Sequence, residues 1–394
     1  MRTGKLQFVP EDPLAIPTFE LKSDDEVGKH AIHKAANQPL QRLLTADSLQ
    51  IRQGDTRVLE AVMPFPFPHL PPEQRGRVEL LYHDSAALKD NFWGDPVVRE
   101  VRVYTPPGYQ PTERLPILLF LPGYSGTGEQ MFNRGMQEVP FSTRADRWIA
   151  DGTSRFIAVL PDVMTRLGGS QYLDSPAIGN YATWLAKELV PWISARFPAT
   201  HWGVLGRSSG GFGAIHLALT FPGVFSAVGC LSGDCGFDLC YLGDVPQAML
   251  GFGAAPERFL ADFWTAEKTS SHQFSALNLL CMSCAYSPDL RAAPFPARLP
   301  VNLATGEVDF SVLESWKRFD PVHRDLSPLS TLKALWIDWG NVDEYLLQFG
   351  GRRLVARLKM DGICHEFEEF KGGHRHTSWR YDVAVPKLLA ALES

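Results

Sequence analysis

The alternation of apolar and polar positions changes texture near residue 76. From there, Val78–Tyr82 and Val98–Tyr104 read as strands, the second alternating apolar and charged residues up to the turn Pro106-Pro107-Gly108. An antiparallel start to a sheet is expected. Apolar runs follow at Ile117–Leu121, Phe156–Leu160, Trp202–Leu205, Val224–Leu231 and Ala334–Ile337, each trailed by a turn and a helical stretch. Runs that are apolar on both faces and separated by helices predict a mostly parallel, doubly wound α/β sheet. The segment Tyr181–Phe197 supports this, with Trp184, Leu185, Leu189, Trp192 and Ile193 at helical spacing along one face.

Upstream, residues 1–75 mix short apolar strings with Pro64-Phe-Pro-Phe-Pro68 and Pro71-Pro72 and carry no recognisable chemistry. They are expected to be an N-terminal extension, with residues 76–394 forming the catalytic domain. Between about 233 and 332 the strand and helix pattern is interrupted by an insertion containing Phe252, Phe259, Phe263, Trp264 and a helix-like run from Phe274 to Tyr286. An excursion of this kind usually covers the strand ends where open α/β sheets bind ligands. It is the candidate lid.

Composition narrows the partners. With 394 residues, 45% hydrophobic, 21% charged and a net charge of -6, the chain has material for a large core and no basic stripe, so nucleic acid is not an expected partner. The N-terminus is broken by Pro and acidic residues before an apolar stretch can form, and no run approaches the roughly 20 residues that span a bilayer. No membrane association is expected, and the expected location is cytoplasmic. The spacing of Cys235, Cys240, Cys281 and Cys284 admits a zinc reading, but Cys281-Met-Ser-Cys284 lies in an apolar helical stretch, where Cys usually behaves as a small hydrophobe. Neither metal nor cofactor is expected; a homo-oligomer is left open.

The chemistry concentrates at Gly206-Arg207-Ser208-Ser209-Gly210. Trp202–Leu205 reads as a strand and Phe212–Leu219 as a helix, which places Ser208 on the sharp turn of a nucleophile elbow. Ser209 competes for the role, but Ser208 has Gly at both flanking positions. A serine hydroxyl needs a base, and in this arrangement the acid and then the histidine follow it in the chain. His374, just past the strand Cys364–Phe370 and after Gly372-Gly373, is the chosen base; His376 is expected at the surface or behind the site. Asp343 follows the strand Ala334–Gly340 and is the chosen acid, since Asp338 would lie within the strand and Glu344 would lead into a helix beginning at Tyr345. The competing reading of Asp343 is an N-cap for that helix. For the oxyanion hole, the backbone amides of Ser209 and Tyr124 are nominated, the latter in Leu121-Pro-Gly-Tyr-Ser-Gly-Thr-Gly128. That loop could also be read as a phosphate cradle, but it lacks the Lys-Ser/Thr ending of a P-loop.

These residues, together with Ser170–Pro176 and Glu188-Leu-Val-Pro191, resemble the esterase D and enterochelin-esterase-like branch of the α/β hydrolases, which includes S-formylglutathione hydrolases, feruloyl esterases and mycolyltransferases. The resemblance runs from about Arg99 to the C-terminus. It implies an α/β-hydrolase fold, Ser208 as nucleophile, Asp343 as acid, His374 as base, and the amides of Tyr124 and Ser209 as oxyanion donors. Two departures from the branch stand out: in the oxyanion loop Pro122 stands where His is common, and in the elbow Arg207 and Ser209 flank the serine where His and Met are frequent.

The expected reaction is hydrolysis of a small-molecule carboxylic ester through an acyl-enzyme on Ser208. An acyltransferase or thioesterase with the same triad, or a non-catalytic binding protein of this fold, are the alternatives. Trp148, Gln171 and Tyr172, with the aromatic residues of the insertion, are the candidate substrate contacts and suggest an apolar or aromatic group.

Overall fold

The computed structural model describes residues 18–21, 57–60, 70–135 and 138–393. Two compact units are distinguished, Met1–His69 and Leu70–Ser394. In the first, Thr18–Leu21 pairs antiparallel with Arg57–Glu60; the rest of the expected extension up to His69 lies outside the described residues.

The second unit is built on one sheet of eight strands. In chain order these are β1 (Arg77–Asp84), β2 (Val98–Thr105), β3 (Leu115–Leu121), β4 (Ile157–Pro161), β5 (Ala199–Arg207), β6 (Ala227–Leu231), β7 (Ala334–Gly340) and β8 (Glu366–Phe370). Their spatial order is β8-β7-β6-β5-β3-β4-β2-β1. All pairs from β4 through β3 to β8 are parallel, and β2 pairs antiparallel with both β1 and β4. This is the α/β-hydrolase arrangement, with the antiparallel start that the alternation in Val98–Tyr104 predicted.

Both faces of the sheet are covered, which is why the central strands read as unbroken apolar runs. Along β3, Ile117, Leu119 and Leu121 enter one core while Leu118 and Phe120 enter the other. The second core is closed by helices α1 (Phe141–Ala150) and C-terminal α7 (Tyr381–Glu393). The first receives α2, which runs through Tyr181–Thr183, a π-helical stretch Trp184–Leu189 and Val190–Arg196. It also receives α3 (Ser209–Thr220), α4 (Asp244–Phe252), α5 (Ser271–Tyr286) and α6 (Leu347–Met360). Helices α4 and α5 come from the insertion, and α5 begins with a capping box in which Ser270 accepts from the Gln273 amide.

A buried ion pair ties the turn Ser378–Arg380, which leads into α7, to the sheet. Arg380 Nε donates to Asp338 Oδ2 on β7 at 2.9 Å and Nη2 to Glu368 Oε2 on β8 at 2.7 Å, with the Arg380 and Asp338 side chains both almost fully enclosed. Asp338, set aside as an acid because it lies within the strand, is thus a structural partner. Removing the cation strands a buried carboxylate, so Arg380→Met should lower stability by about 3–5 kcal/mol. Urea denaturation measures it, and a loss below about 1 kcal/mol would show the pair to be as weak as a surface one.

Candidate active site

Ser208 sits between β5 and α3 with φ 58° and ψ -130°, a backbone conformation that costs energy for a residue with a side chain. The two flanking glycines explain how the turn is accommodated. A Cβ at Gly206 would stand 2.5 Å from the carbonyl oxygens of Gly210 and Leu121, and one at Gly210 would stand 2.1 Å from Leu121 O. Strand and helix therefore cross too closely for any other residue. The Ser208 amide donates to Leu231 O of β6 at 2.9 Å, anchoring the turn to the neighbouring strand.

The loops after β7 and β8 bring the other two groups over the same strand ends. His374 Nε2 lies 2.9 Å from Ser208 Oγ, and His374 Nδ1 lies 2.8 Å from Asp343 Oδ2. Asp343 is enclosed and its Oδ1 accepts the Tyr345 amide at 2.9 Å. The cap reading of Asp343 does not apply to the following helix, because α6 starts at Leu347 after a left-handed Leu346 with no side-chain cap.

Glu344 does more than lead toward a helix. Its Oε2 accepts the His374 amide at 2.6 Å, and this bond holds its carboxyl below the usual carboxylate range. The bond clamps the histidine loop to the acid loop, assisted by Val342 N donating to Gly372 O at 3.1 Å. The Tyr345 ring stands edge-on to the His374 imidazole, centroids 4.9 Å apart. Glu344→Ala should lower kcat about tenfold by loosening the base, with Glu344→Gln recovering most of it because an amide oxygen still accepts. Steady-state kinetics of both variants checks this; equal defects would assign the effect to charge instead.

After β3 the chain turns tightly: Ser125 N donates to Gly168 O at 2.8 Å and Gly126 N to Gly123 O at 2.9 Å. Gly123 packs against Ser208, a Cβ built there lying 3.3 Å from Ser208 Cβ. The amides of Tyr124 and Ser209 have no protein acceptor among the described residues, as donors awaiting an oxyanion would require. The Tyr124 hydroxyl donates to Leu167 O at 2.7 Å, which fixes its ring.

A cavity of about 790 Å³ opens beside Ser208. Its floor is formed by Gly123, Tyr124, Ser208 and His374, and its far wall by Asp234, Tyr241, Asp244, Phe274 and Asn278 of the insertion. The expected lid region therefore supplies a packed wall. His376 lines the same cavity.

Of the expected substrate contacts, the insertion contributes Phe274 and Tyr241 to the lining, whereas Trp148, Gln171 and Tyr172 do not line it. Trp148 belongs to α1 in the second core, against Phe141 and Phe156, with its indole N–H donating to Asp382 at 2.8 Å. Tyr172 lies behind the oxyanion loop and donates to Pro122 O. Gln171 is buried behind the wall, its Nε2 3.3 Å from the Tyr241 and 3.2 Å from the Tyr286 hydroxyl. Apolar and amide side chains before β5 are as suited to backing a site as to lining one, and packing decides between them. Cys235, Cys240, Cys281 and Cys284 are all buried thiols whose ionisation burial disfavours. Among the described residues, no group of three or more His, Cys, Asp or Glu could hold a metal ion, and no helix is long and apolar enough to cross a membrane.

The model of the family described as "Putative esterase" matches residues 97–388. The chain belongs to this esterase family. The chain is similar to a ferulic acid esterase at 17% identity and TM-score 0.49, covering 81% of this chain and 98% of that one. An S-formylglutathione hydrolase from Agrobacterium tumefaciens is 16% identical with TM-score 0.48, covering 80% and 96%. A ferulic acid esterase from Anaeromyces mucronatus is 13% identical with TM-score 0.48, covering 84% and 97%. The esterase is a carboxylic ester hydrolase, in agreement with the resemblance carried by its elbow, oxyanion loop and histidine segment.

Proposed function

We propose that this esterase cleaves small-molecule carboxylic esters through an acyl-enzyme on Ser208, with Asp343 and His374 completing a triad. The observation that carries the reading is the unbroken chain from Asp343 Oδ2 to His374 Nδ1 at 2.8 Å and from His374 Nε2 to Ser208 Oγ at 2.9 Å. Ser208 Oγ attacks the ester carbonyl carbon as His374 Nε2 takes its proton. The carbonyl oxygen becomes an oxyanion between the amides of Tyr124 and Ser209, donors fixed by the backbone before the charge develops. His374 then returns the proton to the leaving alcohol. Asp343 holds the Nδ1–H tautomer throughout and stabilises the imidazolium without itself being protonated. In the second half, His374 removes a proton from water, which attacks the acyl-enzyme and releases the acid.

Residues 70–394 form the catalytic domain on this reading, with the insertion as cavity wall. Gln171 and Tyr172 act as supports, Tyr172 through the oxyanion loop and Gln171 through the wall. Rapid mixing with p-nitrophenyl acetate tests the two-step course. A burst of p-nitrophenol approaching one equivalent per enzyme, followed by slower turnover, is the expected outcome if deacylation limits. A mass spectrum of the quenched enzyme should carry the acetyl group on Ser208; acetyl trapped on another residue would overturn the assignment.

A further inference from the structure

The cavity beside Ser208 contains a carboxylate that ester hydrolysis, as derived above, does not use. Asp234 follows β6 through Ser232-Gly233 and is 9% exposed, yet it lines the cavity wall. Its Oδ2 accepts the Tyr241 hydroxyl at 2.9 Å and lies 3.5 Å from Gln171 Nε2, and Tyr241 in turn meets the Tyr286 hydroxyl at 3.1 Å. Its Oδ1 has no protein partner among the described residues. Every group bonded to this carboxylate is neutral. Burial pushes the carboxyl up to about 6, opposed by the Tyr241 hydrogen bond and by His374, so it is mostly ionised at neutral pH.

Asp244 on α4 lines the same wall, and its one recorded hydrogen-bond partner is also neutral, the Asn278 amide at 3.1 Å. Of the arginines that line this cavity, Arg207 donates to Thr377 at 3.2 Å and Arg375 interacts with the Tyr345 hydroxyl; neither is paired with Asp234 or Asp244. A buried carboxylate that makes no ion pair is costly, and proteins rarely keep one without a partner. Around it, Tyr124, Phe274 and Tyr345 present aromatic rings to the same space, surfaces that attract a positive charge.

We propose that Asp234 is a specificity residue that receives a substrate ammonium group, so that the enzyme prefers esters carrying a positively charged amine over neutral esters of the same shape. The proposal rests on the serine-esterase reading, because it names what enters the cavity that Ser208 serves. Asp244 adds a second negative charge to the wall, and the aromatic rings cover the methylene chain between the amine and the ester. The orientation leaves the ester carbonyl at Ser208 with the amine toward the insertion.

Two isosteric pairs test it. Methyl 6-aminohexanoate and methyl heptanoate place the charge in the acyl part; butyrylcholine and 3,3-dimethylbutyl butyrate place it in the alcohol part. In at least one pair the cationic ester should have a kcat/KM about tenfold above its neutral partner, from the attraction between the ammonium charge and a partly desolvated carboxylate. Asp234→Asn keeps an acceptor for Tyr241 while removing the charge, and should bring that ratio to about 1. Because the readout is a ratio within one enzyme, a general loss of activity in the variant does not affect it. A measurement on the unmodified enzyme stands beside it: butylammonium should inhibit competitively and more strongly than butanol. Equal or reversed preference in both pairs, a preference that survives in Asp234→Asn, or equal inhibition by the two additives overturns the proposal. Hydrolysis of p-nitrophenyl acetate by Ser208→Ala reports separately: undiminished turnover would defeat the nucleophile assignment and leave the charge comparison to be judged on its own result.

Discussion

Ser208→Ala should lower kcat for p-nitrophenyl acetate by on the order of 10⁶-fold, the loss typical when the nucleophile of such a triad is removed. The substitution deletes a single oxygen and leaves Cβ, so the contact with Gly123 and the strained turn between β5 and α3 are retained. Folding should accordingly be unaffected, with a thermal midpoint close to that of the unmodified protein. Residual catalysis would come from the oxyanion amides and substrate binding, which survive the change. A variant within about tenfold of the original kcat would remove Ser208 from the mechanism.

Asp343→Asn should cost on the order of 10⁴-fold in kcat with little change in structure. The geometry says which way the amide turns. Asp343 Oδ1 accepts the Tyr345 amide at 2.9 Å, so the Asn oxygen stays there and its NH₂ group faces His374 Nδ1. An N–H donated to Nδ1 forces the imidazole proton onto Nε2, where it can no longer accept the Ser208 proton. The defect should therefore ease at high pH, where hydroxide can take the Ser208 proton without the base. A pH–rate profile shows this, and a variant with unaltered kcat would indicate that Asp343 only shapes the turn.

The parts of the site that were legible from sequence are those whose geometry is local. Gly206 and Gly210 announce the elbow because they are needed where β5, β3 and α3 cross within a few residues of Ser208. Asp343 and His374 were legible because each lies just past a readable strand, and chain order then proposes their roles. The sheet order itself is long-range, but alternating strands and helices constrain it strongly.

What escaped depends on contacts between distant segments. Asp234, Gln171, Tyr241 and Tyr286 form one cluster although they come from the β6 loop, the segment before α2 and two parts of the insertion. No spacing rule links them. Trp148 looked available for a substrate because an aromatic at helical spacing suits core and pocket equally; α1 buries it against Phe141 and Phe156. Glu344 was passed over as the start of a helix, whereas the helix begins at Leu347 and leaves Glu344 free to hold the His374 amide. The π-helical turn at Trp184–Leu189 left the apolar stripe of α2 intact, so periodicity gave no sign of it.

The central claim is that Ser208 is the nucleophile activated by His374. Treating the protein with a fluorophosphonate and mapping the modified peptide by mass spectrometry tests it most directly. The account predicts one phosphonyl adduct per chain, on Ser208, lost in Ser208→Ala and strongly slowed in His374→Ala. An adduct on Ser209 or elsewhere, or none at concentrations that label other serine esterases, would contradict it.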